Sequence, residues 1–113
     1  MKFDIRKAKI FVTVPNENVE DLRNAVCSAG AGIIGNYSYC SFATNGQGTF
    51  VPNDKSNPYI AEKNKMEIVD EIKLEFVCDV KNVKKVLETI RSVHPYEEPG
   101  IDIVPLLNET DFT

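Results

Sequence analysis

Two short stretches hold the residues whose types and spacing could do chemistry. His94-Pro95-Tyr96-Glu97-Glu98-Pro99 sets the single histidine of the chain beside two carboxylates. Nitrogen and oxygen donors so close together suit zinc or another divalent ion. The candidate metal ligands are His94, Glu97 and Glu98, with Asp102 a little further on. One histidine leaves the shell short, so Cys40 or a second subunit would have to complete it. The competing reading makes this segment a rigid link from helix to strand, with His94 at a helix C-terminus where positive charge is favoured.

The second stretch runs from Gly30 to Pro58 and mixes glycines, aromatics, Cys40 and two prolines. Gly46, Gly48 and Thr49 offer backbone amides to an anion, and Phe50 joins them as a candidate ligand contact. The alternative is a loop that packs over a neighbour, anchored by Phe50 and Tyr59. Gly30, Gly32 and Gly35 match the dinucleotide pattern GxGxxG, with Asp54 further along. That fingerprint follows a strand and opens a helix, whereas these glycines follow a helix and lead toward a strand. They read instead as a helix stop. Cys40 and Ser41 would need His94 beside them to act as nucleophiles, and no spacing selects that arrangement. Tyr37, Tyr39, Phe42 and Phe50 read as sheet packing or an oligomer interface rather than a platform for bases.

Composition narrows the classes. A chain of 113 residues with 42% apolar content makes one domain with its own core. The net charge of −4 argues against nucleic acid, which needs a basic face. No stretch is apolar enough for a signal peptide or a membrane span. Three cysteines without CxxC spacing read as reduced thiols in a cytoplasmic protein, with Cys78 facing the core.

The elements that position these residues follow from periodicity. Residues 8–14 are β-branched and apolar and predict a strand, which Pro15 stops. Asn16 is the expected cap of a helix whose stripe is Val19, Leu22, Val26 and Ala29, and Gly30 ends it. Residues 34–42 predict a second strand. Residues 43–64 predict a long loop, because Gly46, Gly48, Pro52 and Pro58 fall within it. Residues 66–78 predict the clearest strand, with Met66, Ile68, Ile72, Leu74, Phe76 and Cys78 on one face and Asp70 marking an end or a bulge. Asp79 is placed to cap a second helix striped by Val83, Val86, Leu87, Ile90 and Val93. Residues 101–106 predict a short edge strand, since Pro105 lacks an amide proton. Residues 1–107 form the expected domain and 108–113 a polar, mobile tail. The order is βαββαβ, an α+β ferredoxin-like sandwich with both helices on one face of an antiparallel sheet. The other face, with Phe11, Val69 and Val77 among charges, suits contact with another subunit.

Taken as a set, Gly30-Ala31-Gly32, Ile34-Gly35-Asn36-Tyr37, Cys40-Ser41-Phe42, Gly46-Gln47-Gly48-Thr49-Phe50, Pro52, Asn57-Pro58, Glu67, Glu71 and His94 to Pro99 carry a resemblance across nearly the whole chain. The sequence resembles the inserted domain of the NGG-interacting-factor-three-like family, also known as dinuclear-metal proteins or type 2 GTP cyclohydrolase homologues. It departs from that pattern at 61–65, where a more glycine-rich turn is usual. The resemblance implies a PII/CutA-like fold and self-association, with a trimer favoured over a dimer. It places the 43–64 loop where PII-like proteins meet protein or small-molecule partners. The dimetal site of full-length members lies in flanking domains and does not carry over to these residues. The expectation is a stand-alone binding or regulatory module with no catalytic centre of its own and no required cofactor. Its alternative is a CutA-type binder of a divalent metal ion through the His94 to Pro99 segment.

Overall fold

The computed structural model describes residues 2–59 and 61–113. Met1, at the start of the expected domain, and Ile60, within the expected loop, lie outside the described residues. Strand β1 (Lys7–Pro15) leads through a 3-10 turn at Asn16–Asn18 into helix α1 (Val19–Ser28). Strands β2 (Phe42–Phe50) and β3 (Glu67–Asp79) follow, then helix α2 (Val80–Val93) and strand β4 (Ile101–Leu106). The sheet order is β2-β3-β1-β4, antiparallel throughout, which is the ferredoxin-like arrangement expected from βαββαβ. Pro105 lies on β4, an edge strand, where no ladder bond is lost on its outer side.

Alternation along β1 sends Ala8, Ile10, Val12 and Val14 under the helices. There Ile10, Val12 and Val14 meet Leu74, Phe76 and Cys78 of β3, Leu22 and Val26 of α1, and Val86 and Ile90 of α2. Each valine, leucine, isoleucine or phenylalanine among them, fully buried, stabilises the fold by about 1.5–3 kcal/mol relative to exposure. Helix α1 stops at Gly30, whose φ of +111° is a conformation that other residues adopt at a cost.

Four local expectations are corrected. Asn16 starts a 3-10 turn rather than capping α1, and its side chain makes no cap bond. Residues 34–41 are not a strand. Ile34 and Tyr37 exchange backbone hydrogen bonds of 2.9 and 3.0 Å around Gly35-Asn36, so the chain doubles back. The second strand instead runs through Gly46 and Gly48, residues that sequence reasoning assigned to a loop. Asp70 marks neither an end nor a bulge, because β2–β3 pairing is continuous across it and Gln47 Nε2 donates to its carboxylate at 3.4 Å.

The distal half of the β2–β3 ribbon extends past the helices, and the molecule measures 52 × 30 × 24 Å. Met66 and Ile68, on the face that is buried further along β3, are there 64% and 63% exposed. The C-terminal residues carry structure of their own. Asn108 and Asp111 form a reciprocal cap on a 3-10 turn at Glu109–Phe112, Asn108 Nδ2 donates to the Asp4 carbonyl at 2.8 Å, and Phe112 stacks on Phe3.

Candidate functional site

A cavity of about 370 Å³ lies at one end of the sheet, between β2–β3, the loop after β2 and the turn after α2. Its walls are aromatic: Phe50, Tyr59 and Tyr96 surround it, and their ring centres lie 6.2 and 6.3 Å from one another through Tyr96. Glu71 and Thr13 reach it from β3 and β1. Glu97 and Glu98 stand on the turn side. Of the candidate ligand contacts Gly46, Gly48, Thr49 and Phe50, the structure brings Thr49 and Phe50 to one space with Glu97 and Glu98 of the candidate metal set.

Local folding explains the arrangement. His94 is 7% exposed and follows the last turn of α2, with its amide still bonded to the Ile90 carbonyl at 2.8 Å. Its Nε2 lies 2.7 Å from the Thr13 carbonyl oxygen, which can only accept, so Nε2 carries the proton. Its Nδ1 accepts the amide proton of Tyr96 at 3.1 Å. The ring is therefore a neutral staple that ties the end of α2 to β1 and sets the direction of Tyr96. Burial pushes its pKa below the ordinary histidine value, and this outweighs the Thr13 bond and the Glu71 charge, which act the other way. Both ring nitrogens are occupied by backbone groups. Among the described residues no three His, Cys, Asp or Glu side chains converge as a metal cage. The rigid-link reading of His94 is the one this geometry favours.

Glu97 and Glu98 are drawn to different partners. Glu97 accepts the Asn57 amide at 3.0 Å, which fastens the loop after β2 to the turn. Glu98 pairs with Arg91 at 3.6 Å on the exposed side.

Gly46 and Gly48 are ladder residues of β2, paired with Glu71 and Val69. Their role is spatial. A Cβ at Gly48 would overlap Glu71 Oε1, so glycine is what lets this carboxylate lie against the strand. Glu71 itself is 8% exposed. The Tyr96 hydroxyl is also buried and faces the Glu71 carboxylate. Burial first, then the adjacent carboxylate, holds that phenol well above the ordinary tyrosine range. An anion on the Gly46, Gly48 and Thr49 amides would sit against these acids, so the anion reading meets opposing charge.

Glu71 was legible as one residue of a resemblance and as part of the charged face of the 66–78 strand, not as a site residue. The signal in the residues is a glutamate on the non-helical face of β3 facing a glycine-bearing strand, which becomes visible once β2 is recognised as a strand.

Cys40 lies elsewhere. Its amide bonds to the Gly32 carbonyl at 2.8 Å, and the Gly32 amide bonds to Val77. Thr13, which holds His94, pairs with Lys73, four residues from Val77 along β3. Strand rise puts these levels about 13 Å apart. Cys40 and His94 are not brought together as a nucleophile and base. Cys27 and Cys78 are buried, and burial raises the pKa of both thiols.

Fold and site together define an α+β sandwich of the CutA and PII kind with an end cavity. No protein-family model matches the chain. Over 101 residues it is 44% identical to the GTP cyclohydrolase 1 type 2 homolog of Halalkalibacterium halodurans, covering 89% of this chain and 27% of that protein. The Bacillus cereus protein related to NIF3 superposes with a TM-score of 0.79 at 37% identity, over 95% of this chain and 27% of that one. CutA from Synechococcus elongatus superposes with a TM-score of 0.70 at 15% identity, over 98% and 87%, a likeness of fold alone. The resemblance to the NGG-interacting-factor-three-like proteins is borne out, and it is to one segment of them: the chain spans about a quarter of the curated relatives it matches.

Proposed function

We propose that this chain is a small binding or regulatory module, that its ligand occupies the cavity beside Glu71, and that it works as a self-associating assembly in the cytoplasm. The observation that carries the reading is the cavity itself. Its volume falls in the range of small-molecule sites, its walls are aromatic, and a few polar groups converge on it. The loop that closes it is fastened by the Asn57–Glu97 bond, so occupancy there can alter a surface segment.

Support for a module without its own catalytic centre comes from the histidine, whose two nitrogens are engaged by backbone, and from two buried thiols held in the protonated form. The cyclohydrolase name belongs to relatives about four times as long, and their activity is not assigned to this segment.

Support for self-association comes from the surface. Strand β2 is a free edge. Ile33, Ile34, Tyr37 and Phe42 are each more than half exposed on and before it, as are Met66 and Ile68 on the ribbon. Apolar exposure beside an open edge is the usual mark of a contact with another chain. A trimer is the proposed assembly. Among the described residues no helix is long and apolar enough to cross a membrane.

Thermal unfolding of metal-stripped protein against panels of nucleotides, small metabolites and divalent ions tests the binding reading, with sedimentation testing assembly. The reading predicts a rise with a small molecule in metal-stripped wild type that divalent ions do not reproduce. A rise with divalent ions alone, abolished in His94→Ala, would replace it with the CutA-type metal reading.

A further inference from the structure

Glu71 is more than nine-tenths buried, yet among the described residues it takes part in no ion pair, and the polar group that faces its carboxylate is the uncharged Tyr96 hydroxyl. A largely buried carboxylate with no cationic partner in the chain is costly, and the missing counter-charge points to one that arrives. The partner's chemistry can be read from the surroundings. Among the described residues that line the cavity none is lysine, arginine or histidine. Glu97 and Glu98 add negative charge on the turn side, while Phe50, Tyr59 and Tyr96 present ring surface. Gly48 holds space for the carboxylate, and Tyr96 sets its hydroxyl facing it.

We propose that the cavity binds a small organic cation, an alkylammonium or guanidinium compound, with its charged head on Glu71 and its carbon body against Phe50, Tyr59 and Tyr96. The proposal rests on the binding-module reading and names its ligand class. Aromatic faces attract cations, and a desolvated carboxylate supplies the directional bond. A phosphate-bearing ligand would face three carboxylates. A bare divalent ion needs several oxygen donors aimed at one point, and Glu97 and Glu98 are turned to Asn57 and Arg91 instead.

Calorimetric titration tests this with agmatine, butylammonium and choline, with magnesium as the inorganic control, on the wild type, Glu71→Gln and Tyr59→Ala. Glutamine keeps the shape of Glu71, and melting curves verify that both variants fold. At least one organic cation should bind the wild type, lose about tenfold or more in affinity in Glu71→Gln, which is the order expected for one charge-assisted bond, and weaken in Tyr59→Ala. Binding that Glu71→Gln leaves unchanged, or that magnesium competes away, overturns the proposal. Failure of all three cations also overturns it. In that case a neutral or anionic metabolite that binds and is lost in Tyr59→Ala leaves the binding-module reading standing, whereas no binding by any small molecule removes both.

Discussion

Replacing His94 by alanine separates the two roles that its sequence context offers. The ring spans the Thr13 carbonyl at 2.7 Å and the Tyr96 amide at 3.1 Å, and it is 7% exposed. Alanine leaves both backbone groups without this partner, at about 1–3 kcal/mol for each buried group left unpaired, and removes the ring that packs 4.9 Å from Tyr96. The expected loss is about 3–5 kcal/mol, a large share of the about 5–15 kcal/mol that holds a domain together. Urea unfolding of metal-free protein measures it. The pH dependence gives a second reading. The folded pKa of His94 lies below the ordinary histidine value of about 6.5, so the unfolded chain binds more protons in the interval between the two. The histidine's contribution is therefore complete above the unfolded pKa and is lost as pH falls toward the depressed folded value. Wild type should lose stability as pH falls below the ordinary histidine value of about 6.5, by a component that His94→Ala lacks. A loss below about 1 kcal/mol in metal-free protein, or identical pH slopes for the two proteins, would refute the staple argument.

Three further outcomes follow from the same geometry. Gly32→Ala should destabilise by about 2 kcal/mol or more, because φ is +75° and the new Cβ would lie 2.7 Å from the Cys40 carbonyl oxygen; Gly35→Ala, at φ +57° in open space, should cost only about 1 kcal/mol, and equal urea midpoint shifts would contradict this. An alkylating reagent on the native protein should modify Cys40 first and leave Cys27 and Cys78 until unfolding, as peptide mapping by mass spectrometry can read. Gly48→Ala should push the Glu71 carboxylate into the cavity and abolish ligand binding while the protein stays folded, and retained binding in that variant would show that the carboxylate does not need its place against β2.

Much of the fold was legible because its periodicities are strong. Alternation through β1 and β3 and the stripes of α1 and α2 come from residues that meet in a single core, so local pattern and tertiary packing agree. Strand β2 was misread for the opposite reason. Gly46 and Gly48 are loop signals by local preference, yet Gly48 is in the strand because a glutamate two residues diagonally across the ladder needs its space. The apolar aromatic run at 34–42 looked like a strand and is instead an exposed turn followed by an edge, where burial does not dictate conformation. The site was half legible. Thr49, Phe50, Glu97 and Glu98 were marked, and the structure puts them around one cavity. Their arrangement was not legible, because a histidine beside two glutamates says nothing about which way each side chain points. His94 turned inward to backbone, and Glu71, on another strand, supplies the carboxylate that the cavity presents.

Backbone amide exchange, followed by mass spectrometry with and without the small organic cation that binds in titration, tests the central claim most directly. The account predicts slowed exchange in the loop at 51–59 and the turn at 96–100, the two segments that close on Glu71, with no such change in Glu71→Gln. Protection confined to other parts of the chain, or protection of the 94–100 segment by divalent metal alone, would contradict it.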